Sequence, residues 1–169
     1  MIVLGFSRCM KKHVKRILKR IGSLADREKI SVYAVGGFVR DQMLKLPFQE
    51  IDFVVAGNGP GFARVACDDL EGHGWVTYPK FGTASFFAGD LRLEFVTARS
   101  ESYESGSRNP KVKPSPLDED LKRRDFTINT LAMSLNRPEY GTVIDLLGGM
   151  EDIAKGIIRT PLKPESTFM

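Results

Sequence analysis

Little in this sequence supports chemistry built on sulfur or imidazole. Only two cysteines, Cys9 and Cys67, and two histidines, His13 and His73, occur in 169 residues. The cysteines are far apart, without CxxC spacing or a nearby histidine cluster, so neither a disulfide framework nor a zinc site is expected. Both read as free thiols of a reducing compartment. His13 reads as part of a polar helix face and His73, between two glycines, as a helix-end residue; neither is given a catalytic role. No apolar run approaches the roughly 18 residues that a membrane span needs. The opening MIVLGFSRCM has a short apolar segment with its positive charge on the wrong side for a secretory signal, so the cytoplasm is the default and no membrane partner is expected. Internal repeats are also lacking.

The chain is of ordinary size for one domain, and its composition, 42% hydrophobic and 27% charged, is that of a soluble globular protein with a real core. The net charge of +4 is unevenly placed. Nine of the 25 Lys and Arg but only two of the 21 Asp and Glu fall in residues 1–30, so the remainder is acidic. Within 11–30, Val14, Ile17, Leu18, Ile21 and Leu24 recur at helical spacing, with Lys11, Lys12, Lys15, Arg16, Lys19 and Arg20 opposite. A solvated face is the first reading of such a stripe, and contact with nucleic-acid phosphate the second.

The stretch Val32–Ala56, VYAVGGFVRDQMLKLPFQEIDFVVA, organises the rest. It reads as a strand, a two-glycine turn, a short helix opening Phe38-Val39-Arg40-Asp41, and a second strand carrying Glu50 and Asp52. Alternation along a strand puts Glu50 and Asp52 on one face and Ile51, Phe53 and Val55 on the other. Two carboxylates so close repel one another unless a cation lies between them. Gly36 and Gly37 allow close approach of backbone to a ligand at a helix start, where exposed N–H groups favour phosphate. A phosphate seat beside a divalent-metal seat points to metal-assisted transfer to or from a nucleotide.

Further along, Gly57-Asn58-Gly59-Pro60-Gly61 reads as a flexible turn; it lacks the Lys and Ser/Thr of a P-loop. A helix is expected from Phe62 to Leu70. Val76–Tyr78, Thr83–Phe87 and Leu91–Val96 read as strands, the last two joined by a hairpin turn at Gly89-Asp90. In the last of these, Glu94 stands between Leu93 and Phe95 and is read as a third acid beside the Glu50/Asp52 pair. Residues 100–117, with five serines and three prolines in 100–116, read as a mobile loop. Helix resumes at Leu117, and Arg123–Ala132 is taken as helical, with Asp125 and Asn129 one turn apart beside two arginines suited to triphosphate oxygens. A strand at Thr142–Asp145, a turn at Gly148-Gly149, a helix over Met150–Lys155 and an extended piece at Ile157–Arg159 complete the chain.

The segments Val35-Gly36-Gly37-Phe38-Val39-Arg40-Asp41, Glu50-Ile51-Asp52, Glu94-Phe95-Val96-Thr97-Ala98-Arg99, Arg123-Arg124-Asp125-Phe126-Thr127-Ile128-Asn129 and Asp145–Gly149, with Asp152 and Arg159, occur in this order. Together they resemble the catalytic head of class II nucleotidyltransferases, the family of CCA-adding tRNA nucleotidyltransferases and bacterial poly(A) polymerases. The resemblance implies an α+β nucleotidyltransferase fold, a small mixed β-sheet flanked by helices. It implies transfer of a nucleotide from CTP or ATP to an RNA 3′-hydroxyl, with tRNA ahead of other RNA and CCA addition ahead of poly(A) synthesis. Glu50 and Asp52 would ligate Mg²⁺, with Glu94 as a third catalytic carboxylate. Gly36, Gly37, Arg40, Arg123, Arg124, Asp125 and Asn129 would bind the nucleotide.

Two departures stand out. The family usually has Asp-x-Asp, and Glu50 carries an extra methylene that moves its carboxylate by about 1 Å. Family members also continue into helical neck, body and tail domains. This chain is therefore expected to divide into a basic helix over 1–31, a head over 32–160, and the start of a linker to a neck over 161–169. A non-catalytic nucleotide- or RNA-binding module is the alternative from outside enzymology. A small-molecule nucleotidyltransferase is more distant, since such enzymes are not expected to carry Arg123-Arg124-Asp125-Phe126.

Overall fold

The computed structural model describes residues 10–102 and 111–164. Cys9, residues 103–110 of the serine-rich stretch and residues 165–169 of the expected linker lie outside the described residues. Helix α1 (Lys12–Glu28) buries Val14, Ile17, Leu18, Ile21 and Leu24, the stripe that the sequence spacing marks. Strand β1 (Val32–Val35) follows, then α2 (Gly37–Leu44) and β2 (Glu50–Val55). Helix α3 (Gly59–Asp69) leads into β3 (His73–Tyr78), β4 (Thr83–Ala88) and β5 (Leu91–Thr97). A separate two-stranded ribbon pairs β6 (Arg99–Ser102) with β7 (Lys111–Pro114). Helix α4 (Leu117–Lys122), a 3-10 turn (Thr127–Asn129), β8 (Ala132–Ser134), β9 (Val143–Ile144) and α5 (Gly149–Lys155) close the described fold.

Seven strands form one mixed sheet in the order β3-β4-β5-β2-β1-β8-β9. The β2–β5 pair at its centre is parallel and the other pairs are antiparallel. One face carries the main core. Phe53 stacks on Phe95 at 4.6 Å between ring centroids, and Phe86 and Phe62 pack on the same ring at 5.7 and 5.9 Å. Burying aromatics on alternate positions of β2 and β5 fixes which residues of those strands face the other way. Helix α1 packs into this same core. The opposite face is covered only in part, by Val35, Val54, Ala98, Leu121 and Ala132. No helix among the described residues is long and apolar enough to cross a membrane.

Several local expectations change. Gly59, Pro60 and Gly61 belong to the first turn of α3, not to a flexible turn: the Asn58 side chain accepts from the Gly61 N–H at 3.0 Å, and Pro at the helix start lacks only a donor that would be unpaired anyway. His73 is not a helix-end residue but opens β3, stacked on Phe87. The supposed loop 100–117 contains β6 and β7, whose ladder needs no hydrophobic period and so left no trace in the sequence pattern. Cys67 is a buried free thiol.

Gly22 marks where α1 meets the end of β8. A methyl group there would lie 2.2 Å from the Leu135 carbonyl oxygen, which is backbone and cannot rotate away. Gly22→Ala gains about 1 kcal/mol of helix propensity but introduces an overpacking clash, and the clash should win. We expect a net loss of roughly 1–3 kcal/mol, read as a lower denaturant midpoint at unchanged m. An unchanged or raised midpoint would mean that α1 is not seated as described.

Candidate active site

The parallel register sets Glu50 beside Arg92 and Asp52 beside Glu94 on the less covered face of the sheet. Because the alternate residues Ile51, Phe53, Leu93 and Phe95 are fully buried, these four polar side chains are held outward by the core beneath them. Exposure is graded along β2: Glu50 is exposed, Asp52 half-buried and Val54 buried. The acids therefore stand where the covering layer ends, at the wall of an open cleft of about 1550 Å³ that Gly37, Arg40, Glu50, Asp52 and Arg92 help to line.

The glycine turn is brought to Asp52 by the pairing of β1 with β2, in which Val35 opposes Asp52. Gly36 immediately follows, with φ 68° and ψ −135°, a conformation that only glycine adopts without strain. A Cβ on Gly36 would lie 2.9 Å from an Arg124 guanidinium nitrogen and 3.9 Å from Asp52 Oδ2. The turn, an acid and an arginine thus meet at one point, with the N-terminus of α2 opening beside them.

Burial pushes the Asp52 carboxyl up from its ordinary 3.8 to about 6, with the charges of Glu94 and Glu50 adding to the shift and Arg124 and Arg92 opposing it. Burial and like charge together hold a proton on this group up to a pH of about 6. Arg92 partly answers that charge: it reaches Glu94 at 2.8 Å and Glu50 at a longer 3.4 Å. With the side chains so arranged, no group of three His, Cys, Asp or Glu among the described residues is placed to hold a metal. Two carboxylates and an open cleft still fit Mg²⁺, which is commonly bound through one or two carboxylates, waters and substrate phosphates instead of a full protein cage.

On the other side of the turn, Arg40 donates from Nε to Asp41 at 2.8 Å and from a terminal nitrogen to Asn129 Oδ1 at 2.7 Å. Asn129 in turn donates to Asp125 Oδ1 at 3.0 Å, so Arg40, Asn129 and Asp125 form one connected line. Arg123 and Arg124 both bind Asp120, at 2.7 and 3.2 Å, and the Asp120 side chain is fully buried. Arg124 is otherwise under-satisfied: its Nε is the one buried side-chain polar atom among the described residues without a hydrogen-bond partner.

Residues 123–132 are not the continuous helix that the sequence suggested. Arg123 caps α4, Phe126 is extended, and the Thr127 N–H donates to the Arg159 carbonyl instead of continuing a helix. Asp125 and Asn129 meet nonetheless, across the start of the 3-10 turn. That turn is braced from behind by the Thr127 hydroxyl on buried Asp152 at 2.6 Å and by Gly149, where a methyl would strike the Thr127 carbonyl. The structure thus gathers Gly36, Gly37, Asp52, Arg40, Arg124 and Asn129 around the turn, with Glu94 beside Asp52 on the next strand and Asp125, Glu50 and Arg123 at the edges. Sequence reasoning missed two participants. Asp120 lies three and four residues before the arginines, the spacing of helical ion pairs, and Arg92 lies two residues before Glu94 on one strand face; both signals were available.

Residues 32–159 match the sequence family described as the Poly A polymerase head domain. Among curated relatives, the chain is 45% identical over 130 residues to the A-adding tRNA nucleotidyltransferase of Aquifex aeolicus, which covers 77% of this chain but 16% of that protein. Among solved structures, a CCA-adding enzyme in an apo form superposes with a TM-score of 0.88 at 37% identity, over 96% of this chain and 39% of that one. The Thermotoga maritima CCA-adding enzyme complexed with tRNA superposes with a TM-score of 0.78 at 35% identity, over 93% of this chain and 35% of that one. The chain spans well under half the length of each of these proteins.

Proposed function

Because the chain belongs to the Poly A polymerase head-domain family, we propose that it is the catalytic head of a tRNA nucleotidyltransferase, transferring a nucleotide from ATP or CTP to an RNA 3′-hydroxyl with Mg²⁺. The observation that carries this reading is the meeting of Asp52, Arg124 and the Gly36 turn, an acid raised by burial and like charge beside a backbone seat for phosphate. The relatives named above include both an A-adding and a CCA-adding protein, so ATP and CTP are both taken as donors.

Glu50 and Asp52 would hold the cation, and Glu94 on the neighbouring strand would complete the acidic wall. When bound there, Mg²⁺ supplies charge neutralisation along the phosphates and lowers the pKa of the attacking hydroxyl. Gly36 and Gly37 keep side chains away from the seat, and the first N–H groups of α2 are free of intrahelical partners and aim at phosphate oxygens. Arg40 and Arg124 supply forked donors for the triphosphate, each already oriented by an oxygen acceptor, Asn129 for the one and Asp120 for the other. Arg92 holds Glu50 and Glu94 in ion pairs, which a cation bound to both acids would have to displace.

The second reading is a nucleotide- or RNA-binding module without catalysis, favoured by Arg92, whose guanidinium already neutralises two of the three acids. Calorimetric titration of ATP and of CTP, with Mg²⁺ and with EDTA, separates them. The catalytic reading expects both nucleotides to bind only with Mg²⁺, within several-fold of one another. Binding of equal strength in EDTA favours the second reading, and no nucleotide binding under either condition removes the catalytic reading and leaves only the RNA-binding form of the second.

A further inference from the structure

We infer that the exposed face of α1, together with Arg137, is a docking surface for the phosphate backbone of the same RNA whose 3′ end enters the cleft. This rests on the function proposed above and names a second contact for its substrate. Lys12, Lys15, Arg16, Lys19, Arg20 and Arg137 line a shallow groove of about 460 Å³, and Arg16 and Arg20 also line the cleft that holds Glu50 and Asp52. Groove and catalytic cleft therefore share a wall. Lys12 and Lys19 are about 10 Å apart along the helix at 1.5 Å per residue, and Arg16 and Arg20 of the same helix, with Lys11 at its N-cap, reach the cleft.

The charge arrangement separates this face from an ordinary solvated one. Elsewhere helices neutralise their basic residues internally, with Arg64 on Asp68, Lys122 on Asp118 and Lys155 on Glu151, each one turn apart. Between Lys11 and Leu24 there is no acidic residue at all. Lys11/Lys15, Lys12/Arg16, Lys15/Lys19 and Arg16/Arg20 are instead like-charged pairs at i,i+4, a destabilising spacing. The cations also crowd the first turns, where the helix dipole disfavours positive charge, and no acid or side-chain cap offsets them. Arg20 is taken up by Asp69, whereas Lys12, Lys15, Arg16 and Lys19 have no carboxylate partner among the described residues. The first acid along α1 itself, Asp26, already accepts from the Asn136 side chain and the Arg137 N–H. A helix held against its own electrostatics is relieved by a polyanion, and counterion release makes that binding depend steeply on salt.

The test uses the whole chain and a 12-base-pair RNA hairpin with a single-stranded 3′ tail, with Kd measured against salt. K12Q/K15Q/K19Q should weaken RNA binding at least tenfold near 100 mM salt and reduce the log–log salt slope by about 2–3, since each lost contact removes roughly 0.7–0.9. R137Q, on a different element, should remove about one contact's worth of slope. ATP binding with Mg²⁺ should be unchanged in both, and the triple variant should melt no lower than wild type because like-charge repulsion is relieved. An unchanged RNA affinity and slope, with ATP binding intact, would overturn this inference and leave the catalytic reading standing. Loss of binding to vesicles of phosphatidylglycerol, with RNA affinity unchanged, would assign the face to a membrane surface instead. RNA that binds through this face in a chain that binds no nucleotide would uphold the groove and remove the proposed function.

Discussion

Replacing Asp52 with Asn should make the metal-free protein more stable at neutral pH while removing its response to Mg²⁺. In the unfolded chain this carboxyl ionises near 3.8, and in the folded protein it keeps its proton up to about 6. The folded state therefore binds more protons across that window, and this group's contribution to stability falls as pH rises through it. Above about 6 the loss is complete, of order 2 kcal/mol after allowance for partial exposure, and Asn avoids it because it never ionises. Thermal unfolding in EDTA should show the variant above wild type at pH 7.5 and level with it at pH 3.5. Added Mg²⁺ should raise the wild-type midpoint at pH 7.5 and leave the variant unmoved. In a protein that carries this head and adds nucleotides, the same change should slow addition roughly 10³-fold or more, the several kcal/mol that a metal contributes to phosphoryl transfer. A variant that is less stable in EDTA, or that still responds to Mg²⁺ as wild type does, would move the cation away from Asp52.

The second large effect is expected at Asp120, which touches no substrate in the proposed site. Its side chain is fully buried and holds Arg123 and Arg124, themselves largely covered. Removing one partner of such a cluster leaves cationic groups short of the charge that compensates their burial, and typically costs about 3–5 kcal/mol. Asp120→Ala should lower the denaturant midpoint accordingly. It should also weaken ATP binding more than the loss of folded protein explains, because Arg124 would no longer be aimed at the Gly36 turn. Asp120→Asn keeps the shape and one acceptor, and should recover part of the stability but little of the nucleotide affinity. A stability change below about 1 kcal/mol in the alanine variant would mean that water satisfies these arginines and that the cluster is not their anchor.

The two positions illustrate what each level of organisation decides. Asp52 was legible as a candidate ligand before any fold was known, because period-two alternation in EIDFVV separates carboxylates from apolar residues by backbone geometry alone. The same local rule yielded α1 from its 3.6-residue stripe and the Gly-Gly turn from the conformational freedom of glycine. Where the pattern is weak, local reading failed. β8 is three buried residues with no alternation to betray it, and β6 and β7 pair through backbone groups in a stretch that composition marks as loop. The Arg123–Ala132 segment looked helical by composition, yet the carbonyl of Arg159, 32 residues downstream of Thr127, claims the N–H that a helix would have used.

Local sequence rules thus determined which residues are acidic, which backbone can bend at Gly36 and which helix carries unbalanced charge, since each follows from neighbours within a few positions. Tertiary structure alone decided that β2 and β5 lie parallel in a register that puts Asp52 beside Glu94, that Arg92 bridges the outer acids, and that Arg124 ends at the glycine turn. Those outcomes depend on burying Phe53 and Phe95 on one face of the sheet and Leu121 on the other. Burial couples residues far apart in the chain, which no short-range pattern records.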